Sequence, residues 1–137
     1  MSQNLQRPTE ERVLELTADP KLTGEQANQY AGLFLQAGKH PIALMFLERS
    51  KDPALLGKVK EAAVGAGDAF LLHGIERISP GLVSGTEWRD AGGRAMGAGK
   101  FLFARDCYEK AGDPGKAQAA NEAWLKIFPA PATSSGA

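Results

Sequence analysis

The sequence predicts an all-α fold, on three observations. Apolar residues recur at helical spacing along most of the chain, and Val, Ile and Thr alternating at period two, which would mark strands, are missing. Helix-start residues are frequent and are followed at once by apolar faces. The chain has 137 residues, 43% apolar and 23% charged, which is near the globular norm and long enough for one buried core.

The elements follow in order. Thr9 precedes Glu10, Glu11 and the apolar Val13, Leu14 and Leu16, a short first helix. Thr23 and Gln26 form a capping box before Ala27, Tyr30, Ala31, Phe34 and Leu35, one face of a helix that stops near Gly38. Pro41 suits the first turn of a helix over 42–49. Asp52-Pro53 repeats the device, with Asp as cap and Pro inside, and this helix reaches about Gly65. Asp68 caps the next, to about Ile78, and Ser79-Pro80-Gly81 breaks the chain. A loop continues to about Gly85, and Thr86 starts a helix to about Ala98. Further helices are expected over 100–111 and from Asp113-Pro114 to near Phe128. The expected organisation is a flexible N-terminus over 1–8, one helical domain over 9–128 and a disordered, low-complexity tail over 129–137.

Composition excludes several classes of function. Sixteen Lys and Arg balance sixteen Asp and Glu, which argues against nucleic-acid binding or a surface held to anionic lipid. The single cysteine, Cys107, excludes an intrachain disulfide framework and fits a reducing compartment. No stretch approaches the roughly 20 apolar residues that span a bilayer, and Met1 to Glu10 holds no apolar signal core. The expectation is a soluble, cytoplasmic protein with no membrane partner.

Internal repetition is the most informative feature. At a spacing of 61 residues, Ala37-Gly38-Lys39 falls on Ala98-Gly99-Lys100, Gly32 on Gly93, Ala43 on Ala104, Glu48 on Glu109 and Asp52-Pro53 on Asp113-Pro114. A weaker intermediate copy is Ala66-Gly67-Asp68. The physical meaning is a stack of helix pairs. Each pair has a helix A, a glycine turn in the left-handed region, and a helix B whose early alanine crosses helix A closely. No single pair buries both its faces, so neighbours stack. The expected architecture is a right-handed α-solenoid of about three antiparallel helical hairpins plus a C-terminal capping helix.

The third pair resembles a tetratricopeptide repeat. Trp88, Ala91 and Gly92 match the family's opening, Gly99 its turn glycine, Ala104 its helix-B alanine, Tyr108 its aromatic and Ala111 its second small residue. Ala95 stands where the family has an aromatic, and Pro114 comes two residues before the family's closing proline. The first pair matches through Ala31, Phe34, Gly38, Ala43, Leu47 and Ser50, the middle pair through little beyond Gly67. The likeness spans about 23–128 and is specific over 86–114. A related α-solenoid of helical hairpins, of the kind found in coat and transport scaffolds, fits about as well.

The resemblance implies a concave groove lined by A helices that binds a peptide or partner segment. Carried over by position, its partner-binding residues are Glu25, Asn28, Gly32, Leu35 and Gln36 from the first pair and Arg89, Gly93 and Met96 from the third. The family's clamp for a terminal carboxylate is absent, because Gly32 replaces its second Asn, and Asp90 and Thr86 its later basic residues.

Chemistry-bearing motifs fail on inspection. Gly97-Ala98-Gly99-Lys100 is not a phosphate loop, since Arg94 and Phe101 occupy its required glycine and hydroxyl positions. Leu82 and Thr86 replace the glycines that a nucleophile elbow needs around Ser84. His40 and His73 lie 33 residues apart with no ligand at metal spacing. His40 reads as a helix-start residue, His73 as half-buried, Cys107 as core, and Trp88 and Trp124 as packing between helices. Gly92, Gly93, Gly97 and Gly99 crowd one helix, read as close packing against its neighbour or, in the alternative, as a groove floor that a ligand backbone can approach. The expected function is a non-enzymatic protein–protein interaction module with no cofactor and no metal. The alternative is a self-associating scaffold or a subunit of a larger assembly, in which the apolar last helix (Ala117, Ala120, Ala123, Trp124, Ile127, Phe128) is a cap or an oligomer face.

Overall fold

The computed structural model describes residues 5–131. Among these the chain forms eight helices and no strand. They are α1 (Glu10–Ala18), α2 (Gly24–Gln36), α3 (His40–Ser50), α4 (Pro53–Ala66), α5 (Ala69–Ile78), α6 (Gly85–Gly97), α7 (Phe101–Lys110) and α8 (Pro114–Ile127). Residues 5–8 and 129–131 are non-helical. The remainder of the expected flexible N-terminus (1–4) and of the expected disordered tail (132–137) lies outside the described residues.

Local chemistry explains most boundaries. Thr23 accepts from the Gln26 N–H at 3.0 Å while the Gln26 side chain accepts from the Thr23 N–H at 3.1 Å, the capping box expected for α2. Asp52 accepts from the N–H groups of Ala54 and Leu55 at the start of α4, and Asp113 from that of Lys116 in α8. One expected cap is corrected. Ser84, not Thr86, starts α6, through a second capping box in which Ser84 and Glu87 exchange bonds of 3.1 and 2.9 Å. Thr86 lies inside the first turn, past the capping position that Ser84 occupies. The α3 helix also begins earlier than expected, at His40, with Pro41 in its first turn.

Four helix ends close in one way. Gly38, Gly67, Gly99 and Gly112 all have φ between +63° and +76°. The N–H of the next residue returns to the carbonyl five positions back: Lys39 to Phe34, Asp68 to Ala63, Lys100 to Ala95 and Asp113 to Tyr108, at 2.8–2.9 Å. Each glycine is preceded by alanine and followed by Lys or Asp. In the fourth, Ala111-Gly112-Asp113, only Asp113 belongs to the matches at a spacing of 61 residues. Gly67 is held by sterics as well as by φ: a Cβ there would lie 2.5 Å from the Ala95 backbone nitrogen.

The chain divides into two compact units. The first contains residues 5–62 and 71–82. In it α2 and α3 pack along each other, and Phe34 and Phe46 stack with ring centroids 5.7 Å apart, both without solvent exposure. Ala27, Ala31, Ala43 and Leu47 are buried alongside. Burying side chains such as Phe34 and Leu47 contributes roughly 1.5–3 kcal/mol each. The α1 helix packs on α3, and the Glu10 carboxylate pairs with the Lys39 ammonium at 2.8 Å. That partner holds the exposed Glu10 carboxyl below its usual range.

The second unit contains residues 63–70 and 83–131. Here α7 packs on both α6 and α8. Ala95, Ala104, Tyr108, Ala117 and Ala120 form one cluster, with Met96 and Phe103 packed against it. Ala104 is completely buried at the close α6–α7 approach that its small side chain anticipates. Gly92 has no room for more, since a Cβ there would meet the Tyr108 ring at 2.8 Å. Gly93 and Gly97 do not share this role: the nearest atom to a Cβ at Gly93 is 3.7 Å away, and Gly97 faces open space. Gly99 lies in the turn after α6, not within it. The expected close packing of all four glycines thus holds at Gly92 alone, because only its position points at a neighbouring ring.

Candidate functional site

The A-helix residues expected to bind a partner fall on α2 in the first unit and α6 in the second. On α2, Glu25, Asn28, Gly32 and Gln36 follow one another at three- and four-residue steps and share a face. Leu35 flanks that face. Glu25 and Gln36 are exposed, while Asn28, Gly32 and Leu35 are half-buried. Asn28 is already engaged within the chain: its Nδ2 donates to Asp52 at 2.9 Å and its Oδ1 accepts from the Ser50 hydroxyl at 3.2 Å. On α6, Arg89 and Gly93 are exposed and Met96 is half-buried at the edge of the alanine–tyrosine cluster. The Arg89 Nε lies 3.9 Å from an Asp113 oxygen.

The two stripes are in register at 61 residues. Asn28, Gly32 and Leu35 correspond to Arg89, Gly93 and Met96, and the residues at their sides also correspond. Ala27, Ala31 and Phe34 are buried, and so are Trp88, Gly92 and Ala95. Even the polar ties match: Asn28 engages Asp52 as Arg89 approaches Asp113.

Among the described residues two cavities lie elsewhere, and none of the eight expected residues lines either. One, of about 460 Å³, is bordered by Leu14, Thr17 and Ala18 of α1 and Met45, Glu48 and Arg49 of α3. The other, of about 400 Å³, lies between α7 and α8, lined by Arg105, Glu109, Pro114, Ala117, Gln118 and Asn121. Arg105 donates to Asn121 across it at 2.9 Å. Sequence reasoning missed the first cavity because transfer from the family looked only at A helices. The signal available was Leu14, an apolar residue beside Val13 on a helix too short to bury both.

Other residues fall where they were expected. Trp88 is 3% exposed. Cys107 is fully buried, and burial, with the Asp106 and Asp68 charges adding, pushes its thiol up to about 12. It therefore stays S–H at neutral pH and is a poor nucleophile. Burial, then the Asp113 charge, raises the Tyr108 hydroxyl. His40 opens α3 and His73 is half-buried in α5. Trp124 differs: it is half-buried, and its ring partner, at 4.3 Å, is Phe128 just past the end of its own helix. Among the described residues no three or more His, Cys, Asp and Glu side chains group as a metal site, and no helix is long and apolar enough to cross a membrane.

No family model, curated protein or solved structure matches this chain.

Proposed function

We propose that this chain is a non-enzymatic protein-interaction module of the cytoplasm, built as a tetratricopeptide-like right-handed α-solenoid. Its three hairpins are α2–α3, α4–α5 and α6–α7, and α8 is the cap. The partly exposed stripes of the A helices bind an extended peptide or a partner segment, contacted by Glu25, Asn28, Gly32, Leu35, Gln36, Arg89, Gly93 and Met96. One observation carries this reading. Two A helices 61 residues apart each bury one set of residues and leave the matching set accessible, in the same register. What supports a shared use is that the accessible positions, and not only the buried ones, repeat in register, down to the glycine pair Gly32 and Gly93. The open glycines in those stripes let a ligand backbone come near, as a side chain there would not.

Gly32 and Gly93 make the test clean. A Cβ at Gly32 meets nothing within 4 Å, and at Gly93 only the Tyr108 hydroxyl at ordinary contact distance. Replacing either with Gln fills the stripe and raises helix propensity by roughly 0.5–1 kcal/mol. Peptides selected on the intact chain from a displayed library are expected to lose at least tenfold in affinity for Gly32→Gln and Gly93→Gln, with the melting temperature held or raised. Undiminished binding by both variants, or a selection yielding no specific peptide, overturns the proposal.

A further inference from the structure

The lining of the α1–α3 cavity is about half apolar, and its polar half is largely engaged within the chain. Its charged lining is already committed within the chain. Arg49 donates to the carbonyl oxygens of Thr17, Asp19 and Leu22 at 2.7–3.2 Å. Glu48 is paired with Arg77, and the Thr17 hydroxyl donates to the Val13 carbonyl. What is left unclaimed is Leu14, Ala18 and Met45, with Leu14 71% exposed. A polar small molecule would find few free partners there, whereas its volume of about 460 Å³ is within the range of ligand-sized cavities.

The end of α8 carries side chains that suit it. Ala117, Ala120, Trp124 and Phe128 follow one another along a single helical stripe. The stripe starts against α7, where Ala117 and Ala120 are buried, and then runs out of cover. Trp124 is half-buried, and Ile127 and Phe128 are 57% and 54% exposed. The Trp124–Phe128 ring pair is thus apolar surface continuous with an internal packing face but left open.

Charge selects the occupant. The chain as a whole is neutral, but on α1 the Glu10–Lys39 and Arg12–Glu15 pairs leave Glu11 outside them, while the last turn of α8, at the docking end, carries Lys126. Two copies presenting α1 to α8 attract, and two presenting α1 to α1 repel. We propose that the Ile127–Phe128 end of α8 in one copy docks into the α1–α3 cavity of a second copy of this chain. The contact is head to tail: each copy uses one surface as donor and a different one as receptor, so association propagates into short filaments or closes into a ring. It uses neither the α2 nor the α6 stripe and stands apart from the peptide-binding proposal.

The heterologous geometry gives a test that an ordinary dimer does not pass. Light scattering of the 137-residue chain over a wide concentration range is expected to show mass rising past the dimer. Leu14→Ser and Phe128→Ser, both at exposed positions, should each be monomeric with unchanged helical content. Mixed together they should form a one-to-one heterodimer and nothing larger, because one supplies an intact cavity and the other an intact α8 end. Lys126→Glu should weaken association severalfold at low salt. A strictly monomeric native chain, two variants that do not complement each other, or association indifferent to Lys126→Glu would each overturn the proposal.

Discussion

Gly92 and Gly97 sit five residues apart in one helix and should respond to the same substitution in opposite directions. Alanine raises helix propensity at either, by roughly 0.5–1 kcal/mol. At Gly97, the last residue of α6, the added methyl meets nothing, so Gly97→Ala should raise stability by up to that amount. At Gly92 three atoms of the Tyr108 ring stand within 3.0 Å of the new carbon. That ring is buried in the second unit's cluster and has little freedom to move. Overpacking costs roughly 1–3 kcal/mol, which exceeds the propensity gain. Gly92→Ala should therefore lower the denaturation midpoint while Gly97→Ala raises it, and urea unfolding of the two variants beside the parent measures both. Equal shifts would mean that Tyr108 does not lie against α6. Composition alone does not separate these glycines. Their crowding was legible in the sequence, but the direction in which each points depends on how α7 lies across α6.

At the scale of the element, helix ends were the most legible part of the molecule, because caps and turns are decided by residues within five positions of one another. The Thr23–Gln26 box, the Asp52-Pro53 and Asp113-Pro114 starts and the Gly38 and Gly99 stops all formed as their local chemistry dictates. The misplaced start of α6 is equally local. Ser84-Gly85-Thr86 offers two hydroxyls, but only Ser84 has an acceptor side chain three residues later, Glu87, while Thr86 is followed by Arg89. The 61-residue spacing also carries Thr23 onto Ser84. Losing a capping hydroxyl costs about 1 kcal/mol, so Ser84→Ala should lower stability by about that much and Thr86→Ala by much less, read from thermal melts. The reverse order would return the cap to Thr86. The α1–α3 cavity was not legible in this way. It arises where α1 rests on α3: Leu14, Thr17 and Ala18, and again Met45, Glu48 and Arg49, each form one helix face at i, i+3, i+4, but no local signal says that these two faces meet.

The whole molecule raises a different question, which is whether its two compact units unfold as one. The division between them runs inside two continuous helices: α4 passes from the first unit into the second at Ala63, and α5 returns to the first at Leu71. Losing either unit therefore strips the last turns of α4 and the first of α5, or the reverse, of their packing. Short helices without tertiary contacts are marginal in water, so fraying spreads along them instead of stopping at the boundary. Tryptophan makes this measurable, because Trp88 and Trp124 both belong to the second unit and the first contains none. Tryptophan fluorescence then follows one unit, while far-ultraviolet dichroism follows every helix. The two should trace a single coincident transition in urea. Gly92→Ala, whose damage is confined to the second unit, should move both curves together. A fluorescence midpoint falling below the dichroism midpoint in that variant would mean that α4 and α5 do not transmit the loss, and that the units are separately stable.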